Sequence, residues 1–297
     1  MNRKKLEQLE TVASRRQSGL AEVWRRMLKN KPAMAGLVII SVFILGAVFA
    51  DLIADFDTMV VAQNSAIRLQ GPSAEHWFGT DGYGRDIFAR IIHGARSSLS
   101  IAFLTTLASC LAGGILGSLA GYYGGKVDNV IMRIIDMIMC LPPMLFSLSI
   151  VAALGASMRS LIIAVSVTMT PYFTRVVRAS ILTVVDSDYI EAARSNGSGD
   201  ARIILRHIIP NAIGPVIVQA TMSVSFMIML AAGLSFIGLG VQPPTPEWGA
   251  MLSDGREYMR YSTHIVAFPG LAIVLSSLSL NLLGDGLRDA LDPRLKN

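Results

Sequence analysis

Glu191-Ala192-Ala193 lies in a polar segment between two apolar runs, with Gly197 four residues after Ala193 and Pro210 thirteen beyond that. Two alanines and a glycine leave room for another surface to close around a short helix, and Glu191 offers one charge for a bond to a basic group there. Gly197 can take the positive φ that reverses a chain after a helix. The spacing predicts Asp200 as the N-cap of a second short helix, Ala201 to Ile209, ended by Pro210 and Asn211. The chemistry implied is docking, although a plain helical hairpin would use the same residue types.

Residues for hydrolysis are not grouped anywhere in the chain. Gly125-Lys126 is followed by Val127, and Ala120 stands where a phosphate-binding loop needs its first glycine. No nucleophile triad or zinc spacing appears, and the four histidines are scattered. Cys110 and Cys140 fall within apolar runs without a CxxC spacing and read as inert thiols.

The elements that must position the Glu191 segment are membrane spans. Of 297 residues 52% are apolar and only 16% charged, with a mean hydropathy of +0.52, too apolar for a soluble domain of this size. Six runs could each cross roughly 30 Å of hydrocarbon: Ala33 to Ile53, Ser98 to Tyr122, Val127 to Leu154, Leu161 to Val185, Pro215 to Gly240 and His264 to Leu283. The fold expected is therefore an all-α, polytopic membrane protein with six transmembrane helices.

The first thirty-one residues hold nine Lys or Arg against three Glu, whereas Asp55 to Arg96 hold four Arg against five acids. The positive-inside rule then puts the N-terminus in the cytoplasm, and six spans put the C-terminus and the Glu191 loop there too. Val48-Phe49-Ala50 before Asp51 resembles a signal-peptidase site, but the long basic leader favours an uncleaved anchor. Leu20, Val23, Trp24, Met27 and Leu28 share a helix face opposite Arg25, Arg26 and Lys29, so this leader is expected to lie along the inner leaflet. The net charge of +5 gathers here, which fits a lipid surface and not nucleic acid.

Within the spans, Thr105, Ser109, Gly113, Gly117, Gly121 and Gly125 form a four-residue repeat of small side chains suited to close helix packing. Arg133 and Asp136 are expected to pair with each other, since unpaired charge in a bilayer is costly. Arg175 and Arg178 could anchor the fourth span in headgroups or meet a partner. Gln219 and Ser223 on the fifth span, and Ser276, Ser277 and Asn281 on the sixth, are candidates for lining a pathway, or for holding helices together.

Longer blocks flank these spans. Phe78-Gly79-Thr80-Asp81-Gly82-Tyr83-Gly84-Arg85-Asp86 precedes the second, and reads as an ordered turn whose Asp81, Arg85 and Asp86 satisfy one another at the membrane surface. Leu234 to Gly240 and Gln242-Pro243-Pro244-Thr245-Pro246-Glu247-Trp248-Gly249 follow the fifth, the stiff prolines and Trp248 suiting an interfacial element beside an outer gate. Asn281 to Asp289 and Leu291-Asp292-Pro293 close the chain.

From about Pro32 to Lys296 these blocks, in this order and with the Glu191 segment, resemble the second permease subunit of dipeptide, oligopeptide and nickel ABC importers. His207 and Ile209 depart from that family's usual Ile and Leu. The resemblance implies a five-helix core preceded by one N-terminal span. It implies that Glu191, Ala192, Ala193 and Gly197 contact an ATPase; Pro243, Pro244 and Trp248 are candidates for the outer gate on their stiffness and interfacial type. It implies four partners: a second, related permease, two ATPase subunits and an external substrate-binding protein. ATP and Mg would bind those ATPases and no cofactor this chain.

The expected organisation is a basic leader (1–32), a first span (33–54), an external loop (55–97), a permease core (98–285) with its coupling loop (186–211), and a cytoplasmic tail (286–297). The cargo expected is a di- or oligopeptide, with nickel or a nickel chelate as the alternative, His76 and His93 being the external histidines. A secondary transporter working without ATP would be expected to carry buried coupling charges or inverted repeats.

Overall fold

The computed structural model describes residues 22–291, and among these no strand occurs. Leu20 of the leader and Asp292-Pro293 lie outside the described residues. Residues 22–29 form α1, on which Trp24 and Leu28 are exposed beside Arg25 and Lys29. The Asn30 side chain accepts from the Ala33 N–H at 3.1 Å, and with Pro32 in the first turn it starts α2, Lys31–Val48. A short α3, Ala50–Ile53, leads into residues 54–86, an irregular segment whose first turn is capped by Asp55. The hydroxyl and N–H of Thr58 both donate to Asp55 and hold its carboxyl below the usual carboxylate range.

The next helix, α4, runs Ile87–Tyr123, beginning well before Ser98 where hydropathy alone places the span. Asp86 is the reason: its carboxylate accepts from the Ala89 N–H at 2.8 Å. After the break at Gly124, α5 is Gly125–Met139 and α6 is Pro143–Leu154, bent from each other by 89°. The single third span expected over Val127–Leu154 is thus a broken one. Pro142 takes an extended conformation (φ −57°, ψ 129°) before Pro143, and no helix continues through that pair.

Helix α7, Met158–Leu182, lies along α4. A Cβ added at Gly113 would stand 2.5 Å from Phe173 Cβ, one at Gly117 2.7 Å from the Thr174 carbonyl, and one at Gly121 2.9 Å from Ile181. The small-residue strip is therefore the seam between α4 and α7, though Gly125, beyond the break, touches nothing there. The seam also fixes the basic end of α7. Arg175 donates to Asp136 at 2.5 Å and Arg178 to Asp128 at 2.5 and 2.6 Å. The Arg133–Asp136 pair expected within α5 gives way to these bonds between helices.

Two short helices follow, α8 (Asp188–Ser195) and α9 (Asp200–Ile203), then a π-turn over Ile204–Ile208 and α10, Ile209–Phe236. Pro210 does not end a helix here. It has no N–H to offer, and the wider i→i+5 turn before it, with Ile209 N–H bonded to Ile204 O, passes the chain directly into α10. Nor is Asp200 the N-cap, a position held by Gly199. The remaining helices are α11, Trp248–Gly255, and α12, His264–Leu291, so that α12 extends through the first part of the expected tail.

Five helical stretches are long and apolar enough to cross a membrane, six if the bent α5–α6 pair counts as one span. The result is a polytopic all-α membrane protein with one main core, where Ile101, Leu161, Phe173, Met227, Leu234 and Trp248 meet. A second, separate core joins Tyr122, Val177, Ile181, Ile190, Ile203 and Ile208 at the end that carries Glu191. α2 packs on α12 closely enough that a Cβ on Gly36 would lie 2.5 Å from the Ser279 carbonyl.

Candidate functional site

Ser187 begins α8 in an extended conformation, with Asp188 and Glu191 in the first turn and Arg194 in the last, the order a helix dipole favours. Ile190 is wholly buried in the second core and Ala193 is half-buried against it, whereas Glu191, Ala192 and Gly197 are exposed. The outward methyl of the motif is therefore Ala192. Tyr189, 45% exposed on the same helix, is an aromatic that the motif does not reveal.

The turn after α8 has defined chemistry. The Gly197 N–H donates to Arg194 O at 2.9 Å and the Ser198 N–H to Ala193 O at 3.1 Å, the paired bonds of a Schellman ending. Gly197 has φ +76°, and nothing lies within 4 Å of a Cβ built on it. Tyr122, at the end of α4, ties this unit to the bundle. Its hydroxyl donates to Asp200 at 2.8 Å, and the Arg194 guanidinium lies over its ring at 5.1 Å. Tyr122, Arg194 and Asp200 carry no joint signal in the sequence, because only the fold brings them together.

The pathway candidates separate into two sets. On α10, the Gln219 amide donates to Ser223 at 3.1 Å, and both edge a recess of about 260 Å³ lined also by Tyr172 and Phe173 of α7. On α12, Ser276 is wholly buried and donates to Ile273 O, while Ser279 donates to Ser276 O, so these hydroxyls serve their own helix. Ser277 is buried with no hydrogen-bond partner among the described residues, and Asn281 is exposed. None of the α12 candidates lines the recess.

At the opposite end Pro243 and Pro244 are exposed, as an interfacial element would be, but Trp248 is not. Glu247 accepts from Gly249 N and Ala250 N at 2.9 Å and from the Ser98 hydroxyl at 3.1 Å, a buried cap that draws the next residue inward. Trp248 is consequently 0% exposed, its indole N–H donating to Ile91 O at 3.0 Å and its ring edge-on to Phe43.

Nearby, Asp81 accepts from Arg85 Nε at 2.7 Å and from Arg90, and both arginines approach Asp254 of α11, at 3.2 and 3.6 Å. Of the trio expected to satisfy one another, Asp81 and Arg85 do so, buried in protein rather than at a surface. Asp86 instead caps α4 and pairs with His76 Nδ1 at 2.8 Å. Arg90 and Asp254 are the members that the sequence did not disclose. His93 Nε2 meets Ala54 O at 2.8 Å, and no group of three potential metal ligands occurs among the described residues.

Residues 113–297 match the family described as binding-protein-dependent transport system inner membrane component, and residues 18–72 match the N-terminal TM domain of oligopeptide transport permease C. The chain is 46% identical to a dipeptide transport system permease protein, DppC, of Alkalihalophilus pseudofirmus, over 93% of this chain and 90% of that one. It is 42% identical to a di/tripeptide transport system permease protein of Pseudomonas aeruginosa over 94% of each. It is 43% identical to a glutathione transport system permease protein of Pectobacterium atrosepticum over 93% and 91%. Among solved structures, the MetNI methionine ABC transporter in an inward-facing form superposes with a TM-score of 0.57 at 17% identity, over 68% of this chain and 96% of that one, which is a likeness of fold.

Proposed function

The chain belongs to the family of binding-protein-dependent transport system inner membrane components and is a membrane permease subunit of an ABC importer, and from that premise we propose that α8 is the helix through which an ATPase drives it. The observation that carries this reading is the unit itself. A short helix with small and acidic outward residues, Glu191 and Ala192, is turned by a glycine in open space and stands on a core separate from the main one. An insertion element of this kind can be gripped by a partner and can pass displacement to α4 through Tyr122, Asp200 and Arg194.

Peptides are the cargo this reading favours, since the relatives named above carry dipeptide, di/tripeptide and glutathione in their names. The working complex comprises this chain, a second, related permease, two ATPases holding ATP and Mg, and an external binding protein. This chain supplies half of the pathway and no hydrolysis. Both termini and residues 186–211 are cytoplasmic, while 55–96 and 241–262 are external, with Pro243 and Pro244 beside the outer gate. Gln219 and Ser223 face the pathway.

Two measurements test this. A cysteine at Ser73 should react with an impermeant maleimide from outside and one at Ser198 should not; the reverse pattern overturns the orientation. Ala192→Trp should leave the inserted protein intact while abolishing co-purification of the ATPases. Normal ATPase recovery with that variant would remove α8 from the docking surface.

A further inference from the structure

We propose that the recess between α7 and α10 is a transient site for one side chain of the peptide in transit, built to accept uncharged side chains of many shapes. This rests on the permease reading given above.

Position comes first. Tyr172 lies ten residues before the end of α7 at Leu182, and Gln219 ten residues after the start of α10 at Ile209. At about 1.5 Å per residue each stands about 15 Å from the helix end that adjoins residues 186–211, and so about halfway across a 30 Å hydrocarbon layer. Tyr172 is half-exposed at that level, and Phe226, two turns further along α10, is half-exposed too. Neither the Tyr172 hydroxyl nor the Gln219 carbonyl has a hydrogen-bond partner among the described residues; the one bond recorded for this edge is Gln219 Nε2 to Ser223 Oγ. Opened to lipid, a phenol and half an amide would face hydrocarbon unbonded, at a cost of some kcal/mol each. Opened to a hydrated path between protein walls, they meet water or the amide groups of a passing peptide.

Lining and size then define the ligand. Met169, Met222 and Met227 meet Phe173 and Phe226 around that one polar edge, and none of the lining residues is charged or carries imidazole or thiol. Unbranched thioether chains refill gaps of varied shape, the property that promiscuous binding surfaces share. A volume of about 260 Å³ gives room for any single side chain. A hydrated divalent metal ion would find none of the nitrogen or carboxylate ligands that such ions prefer. The recess therefore fits peptide cargo and disfavours nickel.

The test uses the full importer in proteoliposomes, with dialanine and diphenylalanine each supplied at concentrations that saturate the binding protein. Ser223→Leu narrows the recess and Phe226→Ala widens it. The expected result is that Ser223→Leu lowers diphenylalanine uptake at least fivefold while dialanine uptake stays within twofold, and that Phe226→Ala shifts the ratio the other way. An equal loss for both peptides, or no change in the ratio with either variant, overturns the proposal. If Ser223→Leu does not assemble, the Phe226→Ala ratio decides alone. Wild-type liposomes that bind no ATPase and import neither peptide would instead refute the underlying permease reading.

Discussion

Gly84 and Gly197 share a positive φ, +76° at each, and lie at opposite ends of the bundle in opposite surroundings. A Cβ on Gly84 would run into the Asn64 backbone, whereas one on Gly197 would meet nothing. The contrast extends to the regions around them. The Asp81 end is closed on itself, its arginines, Glu247 and Trp248 buried and bonded inside this chain. The Glu191 end leaves the charges and small side chains of α8 outside, and of that helix buries only Ile190. One end is finished as folded; the other has the form of a half-interface.

The largest effect should come from Asp81→Ala, which leaves Arg85 and Arg90 buried with only the more distant Asp254 and should cost about 3–5 kcal/mol. A thermal scan of the purified protein would show it, and an unshifted midpoint would mean that this end is not closed. Gly84→Ala should follow, at about 2–3 kcal/mol, because an unfavourable φ and a backbone clash add together. Gly197→Ala has the same φ without the clash and should cost about 1 kcal/mol. Equal losses for the two glycines would erase the contrast between the ends. Tyr122→Phe should cost about 1 kcal/mol for its one hydrogen bond, but should raise the ATP hydrolysed per peptide imported, since α8 would be less firmly tied to α4. Smallest in stability is Ala192→Trp, with a change within about 0.5 kcal/mol expected at an exposed position; its effect should appear only in ATPase recovery.

Most of the spans were legible because hydropathy and helix length report the same solvent. The exception shows the limit of that signal. Over Val127–Leu154 the average stays apolar while Pro142-Pro143 turns the chain by 89°, and a windowed average carries no direction. The Glu191 motif was legible in position but not in orientation, since the phase of α8 is set by Ile190 settling into a core assembled from α7, α9 and the π-turn. Trp248 suits an interface by type, and only the fold, through the Glu247 cap and a bond to Ile91, 157 positions away, draws it inside. Asp254 with Arg85 spans 169 positions, and no local pattern announces such a pair.

The π-turn at Ile204–Ile208 acts as a phase shifter. Ile203 and Ile208 are both fully buried in one core although five residues apart, a separation that regular α-helix would splay by about 140°. Residues after the turn are therefore rotated relative to those before it, and the direction in which Gln219 and Ser223 face is decided ten or more residues upstream of them. Removing one residue, such as the exposed Leu205, would let the helix close to 3.6 residues per turn with that polar edge still in place, whereas the same residues closed into regular α-helix would swing it by about 100°. In the second case composition and span length would hardly change, but the recess would lose its polar wall. Which residues of α10 edge the recess is thus written partly in the number of residues between α9 and α10.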